Sequence, residues 1–255
     1  MTLKKFHIRI EDGKMDIDVN NIQFQTFRLF SYSTGRHRFD PCDPRNIRMA
    51  GLPLKFFTCF RHFIVNVPDG MTQQQVWKRI VKYLQRLFII EKYQTTVVEV
   101  PIPTLFFWEC TRQLDFFEFV DGSRLLTLAD LQFILNHLQI AFVKISDKVD
   151  QEVGNNTYRN ALTNDSVVLF NPFWLHFDAI LNSTSPQISI RNSSTPPIDA
   201  DINTFLKKWN DGELNNVKFF QFILAATSPN VFASEEYRTN ALMDLETVPH
   251  EQENE

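Results

Sequence analysis

Between residues 117 and 192, apolar and polar positions alternate in four short runs of one form: apolar, any residue, apolar, any residue, then Asp or Asn. The runs are Phe117–Asp121, Val143–Asp147, Val167–Asn171 and Ile188–Asn192, and their closing residues lie 26, 24 and 21 positions apart. A period of two in Phe, Val and Ile is the strand period. A strand at each such interval, with room for a helix between, predicts an α/β chain built as a leucine-rich-repeat-like β/α solenoid. The first and third residues of each run, such as Phe117 and Phe119, then face the helices as core. The closing Asp or Asn turns the chain and offers its side chain to loop amides.

The alternate residues of the four runs share the opposite face. They are Glu118 and Val120, Lys144 and Ser146, Val168 and Phe170, Ser189 and Arg191. This surface is the candidate partner-binding site, with Val168 and Phe170 as apolar anchor and Glu118, Lys144 and Arg191 as polar specificity elements. The competing expectation is that the N-terminal strands or the loop at 150–165 cover this face, which would make Val168 and Phe170 ordinary core.

The same patterning organises the rest of the chain. Lys5–Ile10 and Met15–Val19 alternate on either side of Asp12-Gly13, predicting a hairpin. Gln23–Phe30 is a third strand, followed by a loop with Pro41, Pro44, Gly51 and Pro53, and Arg61–Val67 closes an N-terminal β-rich segment over 1–68. Thr72 and Gln75 form a capping box ahead of an apolar stripe of Val76, Trp77, Ile80, Val81, Leu84 and Phe88. The repeat region runs over 69–228 and begins with a strand at Thr95–Val100 and a short helix within Ile102–Gln113. Thr127 and Asp130 cap the next helix, and Asp150–Asp165 is a polar loop. Pro172 starts a short helix holding Trp174, Phe177, Ile180 and Leu181. Asp199 caps a helix with Ile202, Phe205, Leu206 and Trp209, closed by Asp211-Gly212, and Val217–Leu224 is the last strand. Residues 229–255 are acidic and poor in apolar groups, which predicts a disordered tail.

Composition narrows the function. With 255 residues, 44% of them hydrophobic, the chain can bury a sizeable core. Only 7 glycines argue against phosphate- or dinucleotide-cradling loops, and a net charge of −4 gives no global field for nucleic acid or an anionic membrane. Cys42, Cys59 and Cys110 are odd in number and form no CxxC pair, so neither a disulfide framework nor a zinc site is expected, and no cofactor is implied. No apolar run has the form of a secretory leader or a membrane span, so the expected setting is soluble, in cytoplasm or nucleus.

Catalytic chemistry finds little support. His62 lies near Cys59, but no orienting acid is recognisable, and a core Cys beside a surface His is the preferred reading. Glu109 with Asp115 or Glu118 could pair as acids, yet such pairs arise readily among 30 acidic residues. His137 suits the end of a helix better than a metal. Arg36-His37-Arg38, Arg45 and Arg48, with Phe39, make a basic loop that lacks a groove-reading element. The four tryptophans, Trp77, Trp108, Trp174 and Trp209, fall on predicted helices and read as core.

Several residues also agree in order and spacing with a known family. Asn171 is followed by Pro172-Phe173-Trp174. Then comes Asn203, any residue, Phe205-Leu206-Lys207, any residue, Trp209, with Gly212 near the helix end and a strand beyond. Upstream, Gly51 leads into a strand, and Val76-Trp77-Lys78 and Leu84–Phe88 also suit the family. Over roughly residues 5–225 the chain resembles the type 2 F-box-associated domain, expanded in Caenorhabditis nematodes. The resemblance implies substrate recognition. In such proteins an N-terminal F-box docks on the Skp adaptor of an SCF ubiquitin ligase, and the associated domain presents a target. This chain begins Met1-Thr2-Leu3-Lys4-Lys5-Phe6, at its first predicted strand, so no F-box is expected within it. The expected function is a non-enzymatic protein-interaction module that binds a protein target for SCF-type ubiquitination, with ligase components as further partners. The alternative is an interaction domain with no ligase role. The rivals from other classes are a hydrolase using Cys59 or Cys110 and a nucleic-acid binder using Arg36 to Arg48.

Overall fold

Alternation along the first quarter of the chain produces strands, and these share one sheet with the later parallel strands. The computed structural model describes residues 2–3, 5–11, 14–21, 24–32, 45–59, 62–66, 68, 70–97, 102–120, 125–146, 148–155, 157–194, 197–226 and 231–245. Its first strands are β1 (Thr2–Leu3), β2 (Lys5–Glu11), β3 (Lys14–Asn21) and β4 (Phe24–Tyr32). β2 and β3 form the expected antiparallel hairpin, with Ile8 opposite Ile17. The expected loop around Gly51 and Pro53 is instead a second hairpin, β5 (Arg45–Met49) and β6 (Leu52–Cys59), before β7 (His62–Asn66). Ala50 and Gly51 both take positive φ, 55° and 75°, as a tight two-residue hairpin turn requires. Pro53 is tolerated because it lies outside the part of β6 that pairs with β7, Phe56–Cys59.

The capping box closes as expected. Thr72 accepts from the Gln75 amide and Gln75 returns a bond to the Thr72 amide, opening α1 (Gln73–Leu87). β8 (Ile89–Ile90) and β9 (Tyr93–Val97) follow. Prolines 101 and 103 shorten the expected helix at 102–113 to two 3-10 turns, Ile102–Thr104 and Phe106–Glu109. β10 (Gln113–Phe119) comes next, then α2 (Leu128–Gln132), which widens into a π-turn at Phe133–His137, then β11 (Gln139–Ile145) and β12 (Ser166–Phe170). The loop at 150–165 is not simply polar: it buries Val153, Tyr158 and Leu162. The helix expected from Pro172 forms only as α3 (Asp178–Leu181). Trp174 sits ahead of it in a turn, fully buried against Tyr158 at 5.7 Å. β13 (Gln187–Ser193) leads to α4 (Asp199–Asn210). Ile198 occupies its N-cap, while Asp199 is its first residue and accepts from the Ala200 amide at 2.9 Å. β14 (Phe219–Leu224) completes the strands.

The C-terminal segment departs from the expected disordered tail. A 3-10 turn at Val231–Ala233 precedes α5 (Glu235–Ala241), which Ser234 caps. The segment is not held by apolar burial alone, which is why its composition reads as tail. Asn203 Nδ2 donates to the carbonyls of Ala241 and Met243, Asn240 Nδ2 donates to Asp199, and Tyr237 Oη donates to Pro197 O at 3.0 Å. Residues 246–255 lie outside the described residues.

Among the described residues twelve strands make one sheet in the order β14-β13-β12-β11-β10-β9-β2-β3-β4-β7-β6-β5. From β14 to β2 every neighbour is parallel, a mixed α/β arrangement with a seven-stranded parallel run. β2 belongs both to this run and to the antiparallel N-terminal part, so the sheet is continuous across the expected boundary at residue 68. The register aligns Phe117, Val143, Val167 and Ile188, and then Phe119, Ile145, Leu169 and Ile190. All eight are buried at 2% exposure or less. The helical layer packs on this side: Trp108 touches Phe117, Phe205 of α4 touches Phe220, and Phe232 touches Phe222. Trp77 and Trp108 are core as expected, but Trp209 is 40% exposed and only borders Phe205.

Two polar devices hold the loops. Asp130, fully buried, accepts from Ile102 N at 2.5 Å and from Thr127 N and Oγ at 2.9 and 2.7 Å. At the ends of β12 and β13, Asn171 and Asn192 take left-handed φ of 44° and 54°, which asparagine tolerates better than most residues. Asn171 Oδ1 also accepts from Ser194 N and Oγ at 3.1 and 2.9 Å, stitching the end of β12 to the end of β13. Asp121 and Asp147, the closing residues of the first two runs, lie outside the described residues. Asn171→Ala is expected to cost about 2 kcal/mol in urea unfolding, from lost left-handed preference and two lost hydrogen bonds. Asn171→Gly should recover about half, since it keeps the backbone geometry. Equal losses for the two variants would remove the backbone share of this account.

Candidate functional site

The side chains that alternate with the core residues come together on the opposite face of the parallel run. One row across the strands is Arg9, Thr96, Glu118, Lys144, Val168, Ser189 and Gln221. Of the eight expected partner residues, Glu118, Lys144, Val168 and Ser189 fall in this row. Phe170 and Arg191 are paired in the next row, and Val120 and Ser146 lie just past the ends of β10 and β11.

Burial divides them. Val168 is 9% and Ser189 5% exposed, so both act as packing residues within the row. Glu118, Val120, Lys144, Ser146 and Phe170 are half-buried, and Arg191 is exposed. The Ser146 hydroxyl is buried without a hydrogen-bond partner among the described residues.

The polar members are tied in sequence. Lys144 Nζ donates to Glu118 Oε1 at 2.6 Å and lies 5.8 Å from the centre of the Phe170 ring. As a half-exposed ion pair it contributes at most about 1 kcal/mol to folding. Its larger effect is to fix two long side chains in one conformation. Arg191 Nε donates to Ser189 Oγ at 3.1 Å, and that hydroxyl donates to Gln221 Oε1 at 2.9 Å. The guanidinium thus has its inner nitrogen engaged while its outer fork stands at an exposed position beside Phe170, an arrangement suited to a carboxylate. At the other end of the row, His7 Nε2 and Thr96 Oγ1 are hydrogen-bonded at 2.9 Å.

Apolar members of the face were missed in the sequence. Phe116 and Phe142 stack at 5.4 Å with ring planes 9° apart, one step before Glu118 and Lys144. At the far edge Phe219 and Ile223 are 48% and 40% exposed. The signal was present in two of the strands, because Phe116 and Phe142 each stand one position ahead of the five-residue pattern.

The other candidate groups are dispersed. Glu109 binds Lys78, which lowers its pKa, while Asp115 accepts the Tyr93 amide at 2.7 Å and Glu118 is held by Lys144. No two of these acids share a partner. The Cys110 thiol is half-buried, and burial pushes its pKa up, away from a nucleophile's range. His137 is exposed at the end of the π-turn, against Phe133, and borders a cavity of about 670 Å³. The side chains of Cys59 and His62, and residues 36–44 of the basic loop with Cys42, lie outside the described residues. Among the described residues no helix is long and apolar enough to cross a membrane.

Residues 159–222 match the family model described as F-box associated. The matched segment spans β12, α3, β13, α4 and β14 up to Phe222, and the match supports that domain type for this part of the chain. No curated protein and no solved structure matches the chain. The structure gives jobs to the residues on which the sequence resemblance was argued: Asn171 makes the turn, Trp174 and Phe205 are core, Asn203 anchors the end of α5, and Gly212 takes φ 78°.

Proposed function

We propose that this chain is a non-enzymatic protein-interaction module of leucine-rich-repeat-like build that recognises a protein target for SCF-type ubiquitination. The reading places it in the cytoplasm or nucleus. The observation that carries it is the tied row on the face of the parallel run opposite its buried core residues. Glu118, Lys144, Phe170 and Arg191 are held in fixed conformations at partly exposed positions, flanked by the Phe116–Phe142 stack and by Phe219. Preorganised charged and aromatic groups around an apolar centre are what a specific protein interface needs. The F-box-associated match at 159–222 supports the same role.

The test is tandem purification of the full chain from cells, followed by identification of bound Skp adaptor and of any ubiquitinated protein. Phe170→Asp is expected to abolish target binding, because it buries a carboxylate against the interface, while Arg191→Glu lowers it about tenfold or more. Both variants should keep any adaptor contact. Target binding without adaptor would reduce the role to an interaction domain outside the ligase. Target binding unaffected by either substitution would move the site off this face.

A further inference from the structure

A second opening lies between the sheet and its helices, past the middle of β12 and β13. It is a crevice of about 220 Å³ at the carboxyl ends of parallel strands. Buried Phe177, Ile180 and Ile190 and half-buried Phe173 and Phe222 supply its apolar walls. Ile198, 61% exposed, stands at its mouth.

One group is out of keeping with these walls. Asp201, in the first turn of α4, lines the crevice and has no hydrogen-bond or ion-pair partner for its carboxylate among the described residues. The neighbouring charges are already engaged. Asp199 accepts from Ala200 N and Asn240 Nδ2, and Asp178 is paired with Arg159 at 2.7 Å. His176 Nδ1 lies 3.1 Å from the Asp178 amide and 3.0 Å from its carboxylate. Burial raises the Asp201 pKa, His176 draws it back and Asp178 raises it further. The dipole of α4 accounts for an acid in this turn. It does not account for the apolar crevice beside that acid.

We propose that this crevice binds a cation on an apolar stem, such as a lysine or arginine side chain of a partner protein. The stem lies against the phenylalanines and the cation meets Asp201. The site is separate from the sheet face and does not depend on its role.

The probe is n-butylammonium, titrated into the isotopically labelled full chain and followed by NMR, with 1-pentanol as the neutral counterpart. Saturable shifts are expected at the amides of His176, Ile198 and Asp201. Asp201→Asn should weaken butylammonium about fivefold to tenfold and leave pentanol unchanged. Asp211→Asn, at the exposed far end of α4, should change neither. In the unsubstituted chain, saturating butylammonium should move the Asp201 carboxyl titration to lower pH, a readout independent of any variant. No saturable shift, equal loss in both variants, or an unmoved Asp201 titration would overturn the proposal.

Discussion

Asp130→Asn is expected to lower the unfolding free energy by about 3 kcal/mol, from either the buried Ile102 amide or the half-buried Thr127 pair left facing an NH₂ in place of a carboxylate oxygen. The native carboxylate, itself buried, receives the Ile102 amide in a buried bond and the Thr127 amide and hydroxyl in half-buried ones. An asparagine keeps one acceptor oxygen and presents an NH₂ where the other stood. The loss falls on two loops together, since Ile102 precedes β10 and Thr127 precedes β11. For a chain of this size the melting temperature should fall by about 6–12 °C. Urea denaturation measures the same quantity. A change below about 0.5 kcal/mol would mean these bonds are replaced without cost and that the capping network is not what holds the turn.

Phe119→Ala is expected to cost about 3–5 kcal/mol, the range for truncating a buried aromatic that leaves a cavity. Phe119 is 1% exposed and lies in the row that continues through Ile145, Leu169 and Ile190. Phe170→Asp, on the other side of the same sheet, should cost about 1 kcal/mol or less, because a half-buried side chain can send its charge to water. Circular dichroism on both variants separates the faces. A Phe170→Asp variant as damaged as Phe119→Ala would make Phe170 core and remove it from the candidate interface.

The two faces were legible because period-two alternation assigns a side to every strand residue, and that assignment needs no tertiary information. The eight core positions follow from it directly. The α1 and α2 caps were legible for a related reason: a capping box is a local exchange of hydrogen bonds between residues three apart. What escaped was decided by contacts distant in sequence. The β5–β6 hairpin contains a proline that reads as a breaker until the partner strand is known. α5 looks like a tail because it is held through Asn203, whose partners lie 38 and 40 residues away. The Phe116–Phe142 stack was overlooked for a smaller reason, since the five-residue pattern starts one residue too late to include it. Asp201 carried no signal at all. It is an ordinary first-turn acid in the sequence, and only the fold brings it to an apolar crevice.

The strand order from β2 through β9 to β14 is the order of synthesis. Once β2 and β9 have met, across 87 residues of chain at the Thr95–Ile8 hydrogen bond, every later strand pairs with the one made just before it. The parallel half can therefore grow by accretion as it leaves the ribosome, offering a single fresh edge at each step and never waiting for a distant strand to close a gap. The only long search is the first one. This bears on how such a domain tolerates change over evolutionary time. A strand with its connection added or lost beyond β9 alters where growth stops, while a change at β2 or β9 removes the edge from which it starts.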